Sequence, residues 1–169
     1  MGIVSFFKDA GQKLFGHADT EAAAQQAQAA PDDAALQAAA AAANQGAANA
    51  IEAYIATQNL TADGLKVDFD GATRTASVSG TAADQAIKEK IVLCCGNVHG
   101  VAAVNDLMAV AEPADESQYH EVARGDTLSA IAKTYYDNAN EYPKIFEANQ
   151  PMLSSPDKIY PGQLLRIPA

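Results

Sequence analysis

Between residues 18 and 50 more than half of the positions are alanine, interspersed with Gln, Asp and Asn and broken by Pro31. No other feature constrains the fold as much. Alanine is the best helix former, yet it brings almost no large side chain to bury. Residues 17–48 therefore read as a spacer, helical in pieces and weakly docked, with a disordered linker as the alternative. Any core has to come from the rest of the 169-residue chain, which has room for one medium domain or two small ones.

The apolar pattern outside the spacer predicts two such domains. Ile51, Tyr54 and Ile55 recur at i, i+3, i+4, one face of a helix. Residues 65–70 alternate apolar and polar, as a half-buried strand does, and residues 75–79 read as a second strand with Val78 inward. Thr81-Ala82-Ala83-Asp84 fits a capping box for a helix that carries Ile87, Ile91 and Cys94 or Cys95 on one face. Gly96-Asn97-Val98-His99-Gly100 ends that helix, and residues 101–110 form a third strand. The order over 49–110 is α-β-β-α-β, and residues 111–117 form a hinge. Over 118–169 a strand at 119–122 leads to a helix capped by Asp126, with Leu128, Ile131, Ala132 and Tyr135 inward. A second helix at 141–148 and a strand at 164–167 complete a β-α-α-β order. The fold class expected is α+β, two small domains with helices on one face of each sheet.

Charge and cysteines narrow the function. The formal charge of -10 repels phosphate backbones and anionic bilayers, so neither nucleic acid nor membrane is expected as a partner. No stretch approaches the roughly 20 apolar residues needed to cross a bilayer. Cys94 and Cys95 are adjacent and cannot frame a disulfide fold, which suits a reducing compartment. Residues 1–9 have no basic segment before their short apolar run, and Lys8 and Asp9 interrupt it. A cytoplasmic monomer is expected.

No defensible catalytic order emerges from His17, His99 and His120, nor any Walker or dinucleotide glycine motif. Cys94, Cys95 and His99 lack a fourth ligand for structural zinc. The chain is therefore expected not to be an enzyme. The loop around Gly96 and Gly100 has two readings: a helix C-cap, or a turn whose carbonyls converge on a large, weakly hydrated cation such as potassium.

The motif Arg124-Gly125-Asp126-Thr127-Leu128-Ser129-Ala130-Ile131-Ala132, with Ile145-Phe146-Glu147-Ala148-Asn149 and Ile159-Tyr160-Pro161-Gly162-Gln163-Leu164, resembles a LysM domain. Gly80 and Gly96-Asn97-Val98-x-Gly100-Val101 give 49–110 a resemblance to a BON domain. Together with Phe6-x-Lys8-Asp9-Ala10-Gly11-x-Lys13-Leu14 near the start, the arrangement resembles the family of small bacterial potassium-binding proteins that join these two domains. The resemblance implies a K+ sensor or buffer whose ion is held by backbone carbonyls of Gly96, Val98 and Val101, closed over by Phe7 and Ala10. It also implies a second possibility, binding of N-acetylglucosamine glycans such as peptidoglycan through Asp126, Thr127, Leu128, Asn149, Pro151 and Met152. The apolar segment 1–16 either anchors at a membrane surface or packs on the BON domain, and the acidic charge favours packing. The short hinge keeps the two domains near each other, so ion binding is expected to compact the molecule.

Overall fold

The helix propensity of the alanine stretch is realised on both sides of Pro31. In the computed structural model, which describes residues 2–6 and 11–169, it folds as α1 (His17–Ala29) and α2 (Ala34–Thr57). Asp33 caps α2 by accepting from the Ala35 and Leu36 amides at 2.9 and 3.2 Å. The expectation of a weakly docked spacer is corrected. Along α2 the buried positions are Ala40, Ala47, Ala48, Ile51 and Ile55, one helical face that runs without a break across residue 48. Small alanines let the helix sit close to the sheet, and Ala47 and Ala48 join the main core. α1 is tied down as well: Glu21 pairs with Arg74, and Thr20 is buried against the turn at Gly71.

Among the described residues four strands form the larger sheet: β1 (Gly2–Ser5), β2 (Asp63–Asp70), β3 (Thr75–Asp84) and β4 (Ala103–Glu112), in the order β1-β4-β3-β2. β2 and β3 form a hairpin, β3 and β4 run parallel, and β1 lies antiparallel to β4 with Val4 opposite Val104. The parallel pair needs a crossover, supplied by α3 (Gln85–Gly96). Val67, Phe69, Ala76, Val78, Ala82, Val104 and Met108 face α2 and α3 and make the core. The capping-box reading at Thr81 is corrected. Parallel pairing carries β3 on through Thr81 opposite Ala109, and Asp84 alone caps α3, accepting from the Ile87 amide at 2.7 Å.

The second unit pairs β5 (Gln118–Glu121) with β6 (Leu164–Ile167), packed by α4 (Leu128–Tyr136) and α5 (Tyr142–Ala148) around Val122, Leu128, Ile131, Ile145, Leu153, Leu165 and Ile167. Here the N-cap of α4 is Thr127, whose hydroxyl accepts from the Ala130 amide at 3.1 Å, rather than Asp126 as expected. Asp126 instead meets His120 Nε2 and the Ala123 amide, both at 2.9 Å. The fold is α+β, as the alternation and helical faces imply.

α3 also contacts β6. Buried Glu89 of α3 accepts from Arg166 Nε at 2.5 Å, from the Ser117 amide at 2.9 Å and from Gln85 at 2.8 Å. Burial alone would raise the Glu89 pKa, but these hydrogen bonds outweigh it and hold the carboxyl below the usual range.

Candidate metal centre

Local rules bring the chain into a tight loop after α3. The Asn97 amide closes the helix on the Leu93 carbonyl at 2.9 Å, and the Val101 amide donates to the Val98 carbonyl at 3.1 Å. Gly100 takes φ +96°, a conformation that favours glycine. The chain then enters β4, with the Ala102 amide donating to Arg74 at 2.8 Å.

The N-terminal segment is stitched across this loop. Phe6 N–H donates to the Ala102 carbonyl at 2.9 Å. Gln12 N–H donates to the Asn97 carbonyl at 2.8 Å, and His99 N–H donates to the Gln12 carbonyl at 2.9 Å, a short parallel bridge between Gln12 and Val98. Three glycines make room for this. The Phe6 ring occupies the place where a Cβ on Gly96 would stand, Gly11 abuts the Asn97 carbonyl, and Gly100 abuts His17.

Residues 96–102 contain no carboxylate. Among the described residues, no amide donates to the Gly96 or Val101 carbonyls. Helix C-terminal carbonyls carry partial negative charge. Neutral oxygens of this kind match a large monovalent cation, whereas Ca2+ and Mg2+ sites draw on carboxylates. Among the described residues no group of three or more His, Cys, Asp or Glu could hold a metal ion. The zinc idea fails on position: Cys94 and Cys95 lie fully inside the core, and burial pushes the Cys94 thiol up to about 12. His17 and His99, far apart in sequence, cross with ring centroids 4.4 Å apart beside the loop.

Of the five carbonyls anticipated for the ion, those of Gly96, Val98 and Val101 belong to this loop, and all three residues are buried. Phe7 and Ala10 lie outside the described residues. Three residues that sequence reasoning missed here are Phe6, Gln12 and Asn97. Phe6 and Gln12 are reached only through the nonlocal pairing of the start with the loop, which no local pattern reveals.

The six glycan candidates are divided. Asp126, Thr127 and Leu128 line a groove of about 380 Å³ with Ser129, Tyr142 and Asp157. Asn149 does not reach it. It is buried, with its side-chain amide donating to the Ile145 and Arg166 carbonyls and its oxygen accepting from the Arg166 amide, all at 2.8 Å. Met152 packs against the core of the larger unit and lines a separate cavity of about 220 Å³ with Gly11, Gln12, Tyr54 and Asn97. Pro151 is exposed, outside the groove.

Comparison with known proteins agrees with both units. Residues 43–112 match the BON domain family and residues 120–168 the LysM domain family. The chain is 44% identical over 168 residues to a protein of Escherichia coli O6:H1 named potassium binding protein Kbp, covering 99% of each chain. It is also 39% identical over 75 residues to an uncharacterized protein of Deinococcus radiodurans, covering 43% of this chain and 29% of that one. With BON and LysM domains in that order and near-complete coverage, the chain belongs to the family of potassium binding protein Kbp.

Proposed function

We propose that the chain binds potassium without catalysing a reaction, and acts as a cytoplasmic K+ sensor or buffer. One observation carries this reading. A carboxylate-free loop at the end of a helix is fastened by backbone hydrogen bonds to the N-terminal segment, with Gly11, Gly96 and Gly100 at the close approaches to that segment and to α1, and its oxygen donors are backbone carbonyls. The Gly96, Val98 and Val101 carbonyls are the ligands proposed from the loop, with Phe7 and Ala10 proposed from the start. The name of the Kbp relative supports K+ as the ion. The unbridged, buried cysteines suit the cytoplasm.

Binding should raise the thermal midpoint in KCl relative to choline chloride at equal ionic strength. Deleting residues 1–12 should abolish the difference. Small-angle scattering should report a smaller radius of gyration with the ion than without. An identical midpoint in both salts would defeat the reading.

A second reading is favoured by the groove beside α4. Its mixed lining of Asp126, Thr127, Tyr142 and Asp157 suits a hydroxyl- and amide-bearing glycan. Sedimentation with insoluble peptidoglycan, lost on Tyr142→Ala, would support it.

A further inference from the structure

Asn97 is the point where three parts of the molecule meet. Its backbone amide closes α3 on Leu93 at 2.9 Å, and its carbonyl accepts from Gln12 of the N-terminal segment at 2.8 Å. Its side-chain amide reads both groups of one backbone residue. Nδ2 donates to the Leu164 carbonyl and Oδ1 accepts from the Leu164 amide, each at 3.0 Å. Leu164 begins β6, so the Asn97 side chain does for that strand what a neighbouring strand would do.

We infer that Asn97 is a positioning residue that couples the ion loop to the seating of the LysM strand β6, an inference that rests on the ion-site reading above. The physical link is the peptide plane. A trans peptide is planar, so the Gly96 carbonyl shares a plane with the Asn97 amide, and the Asn97 carbonyl shares the next plane with the Val98 amide. Moving Asn97 therefore tips the Gly96 carbonyl and displaces Val98. Seating of β6 holds the Asn97 side chain, and the N-terminal segment holds its carbonyl. An ion that fixes the Gly96 and Val98 carbonyls must favour the seated strand, and the seated strand must favour the ion by the same factor. Only an asparagine side chain does this at that reach: aspartate would set a carboxylate against the Leu164 carbonyl, and alanine would leave both groups of Leu164 unmatched.

A second fastening between the same two elements allows a clean control. Glu89 and Arg166 join α3 to β6 two helical turns before the loop and do not touch it. Removing both charges with Glu89→Gln plus Arg166→Met leaves an acceptor for the Ser117 amide and keeps β6 seated, because replacing both members of a buried pair is close to neutral, and it does not reach Asn97.

The test is potassium calorimetry on the full chain, wild type against Asn97→Ala and against the double variant, with hydrogen exchange at the Leu164 amide of the wild type. We expect Asn97→Ala to bind potassium about tenfold more weakly, and the double variant to stay within about twofold. Saturating potassium should slow exchange at Leu164. Equal losses in both variants would show that docking in general supports the loop and would overturn the role of Asn97 while the ion site stands. Unchanged Leu164 exchange at proven saturation would overturn it too, and decides the matter if Asn97→Ala does not fold. A wild type that takes up no potassium would remove the ion-site reading, and the coupling with it.

Discussion

At the end of α3, the segment from Gly96 to Val101 offers buried backbone carbonyls and no acidic side chain. Beside α4, the groove offers side chains to solvent, with Asp126 and Asp157 among them and Tyr142 36% exposed. Both regions lie at a helix terminus beside glycines, Gly96 and Gly100 in the first and Gly125 in the second, yet they are suited to different ligands. The first depends on contacts with the N-terminal segment to fix its shape. The second is fixed within its own unit, by Thr127 capping α4 and by Asp126 meeting His120. A site made of backbone is thus vulnerable to changes in packing, and a site made of side chains to changes of the side chains themselves.

The largest expected effect falls on what joins the two regions. Arg166→Ala leaves Glu89 charged and buried without its partner, which should cost about 3–5 kcal/mol in a denaturant titration. Acid should act on the same seam. Because the folded Glu89 pKa lies below its unfolded value, its stabilisation is complete above the unfolded pKa and is lost as pH falls through the folded one. Unfolding midpoints that fall from neutral pH into that acid window would fit, and the doubly neutral Glu89→Gln/Arg166→Met variant should fall less steeply.

Next in size is Gly96→Ala. Its added Cβ would collide with the Phe6 ring, so the ring must move off the loop. Such overpacking costs about 1–3 kcal/mol; if all of it fell on the ion-bound arrangement, potassium affinity would drop about 5- to 150-fold. Peptidoglycan sedimentation, by contrast, should be unchanged. Gly11→Ala should act in the same direction, since Gly11 has φ +107° and abuts the Asn97 carbonyl.

The smallest effect sharpens the contrast from the other side. Tyr142→Ala removes a partly exposed ring from the groove and should change stability by less than about 1 kcal/mol. Potassium binding should stay as it is and glycan retention should disappear. A variant that lowers both would mean the two regions are not independent.

What was legible in the sequence was the part that repeats locally. The alternation of Leu65, Val67 and Phe69 marked β2, and Leu128, Ile131 and Ala132 marked the inner face of α4. Strand β1 was not legible. It has four residues, three of them exposed, and it exists only because distant β4 offers it an edge. The docking of the alanine helices was hidden for a related reason. Ala47 and Ala48 carry no hydrophobic signal of their own, and their burial is decided by the sheet beneath them. The caps at Thr81 and Asp126 misled because each residue had a stronger tertiary use, the Thr81 backbone in strand pairing and the Asp126 carboxylate in the contact with His120. The loop after α3 was visible through its glycines, but the contacts that brace it, Phe6, Gln12 and the Leu164 backbone, come from both ends of the chain.

The most direct test of the account is a calorimetric titration of the full chain with KCl in sodium-free buffer, matched by choline chloride. A saturable heat with potassium alone, abolished by deleting residues 1–12 and retained in Tyr142→Ala, is the expected result. No heat above that of choline, from a protein whose folding has been verified, would contradict it.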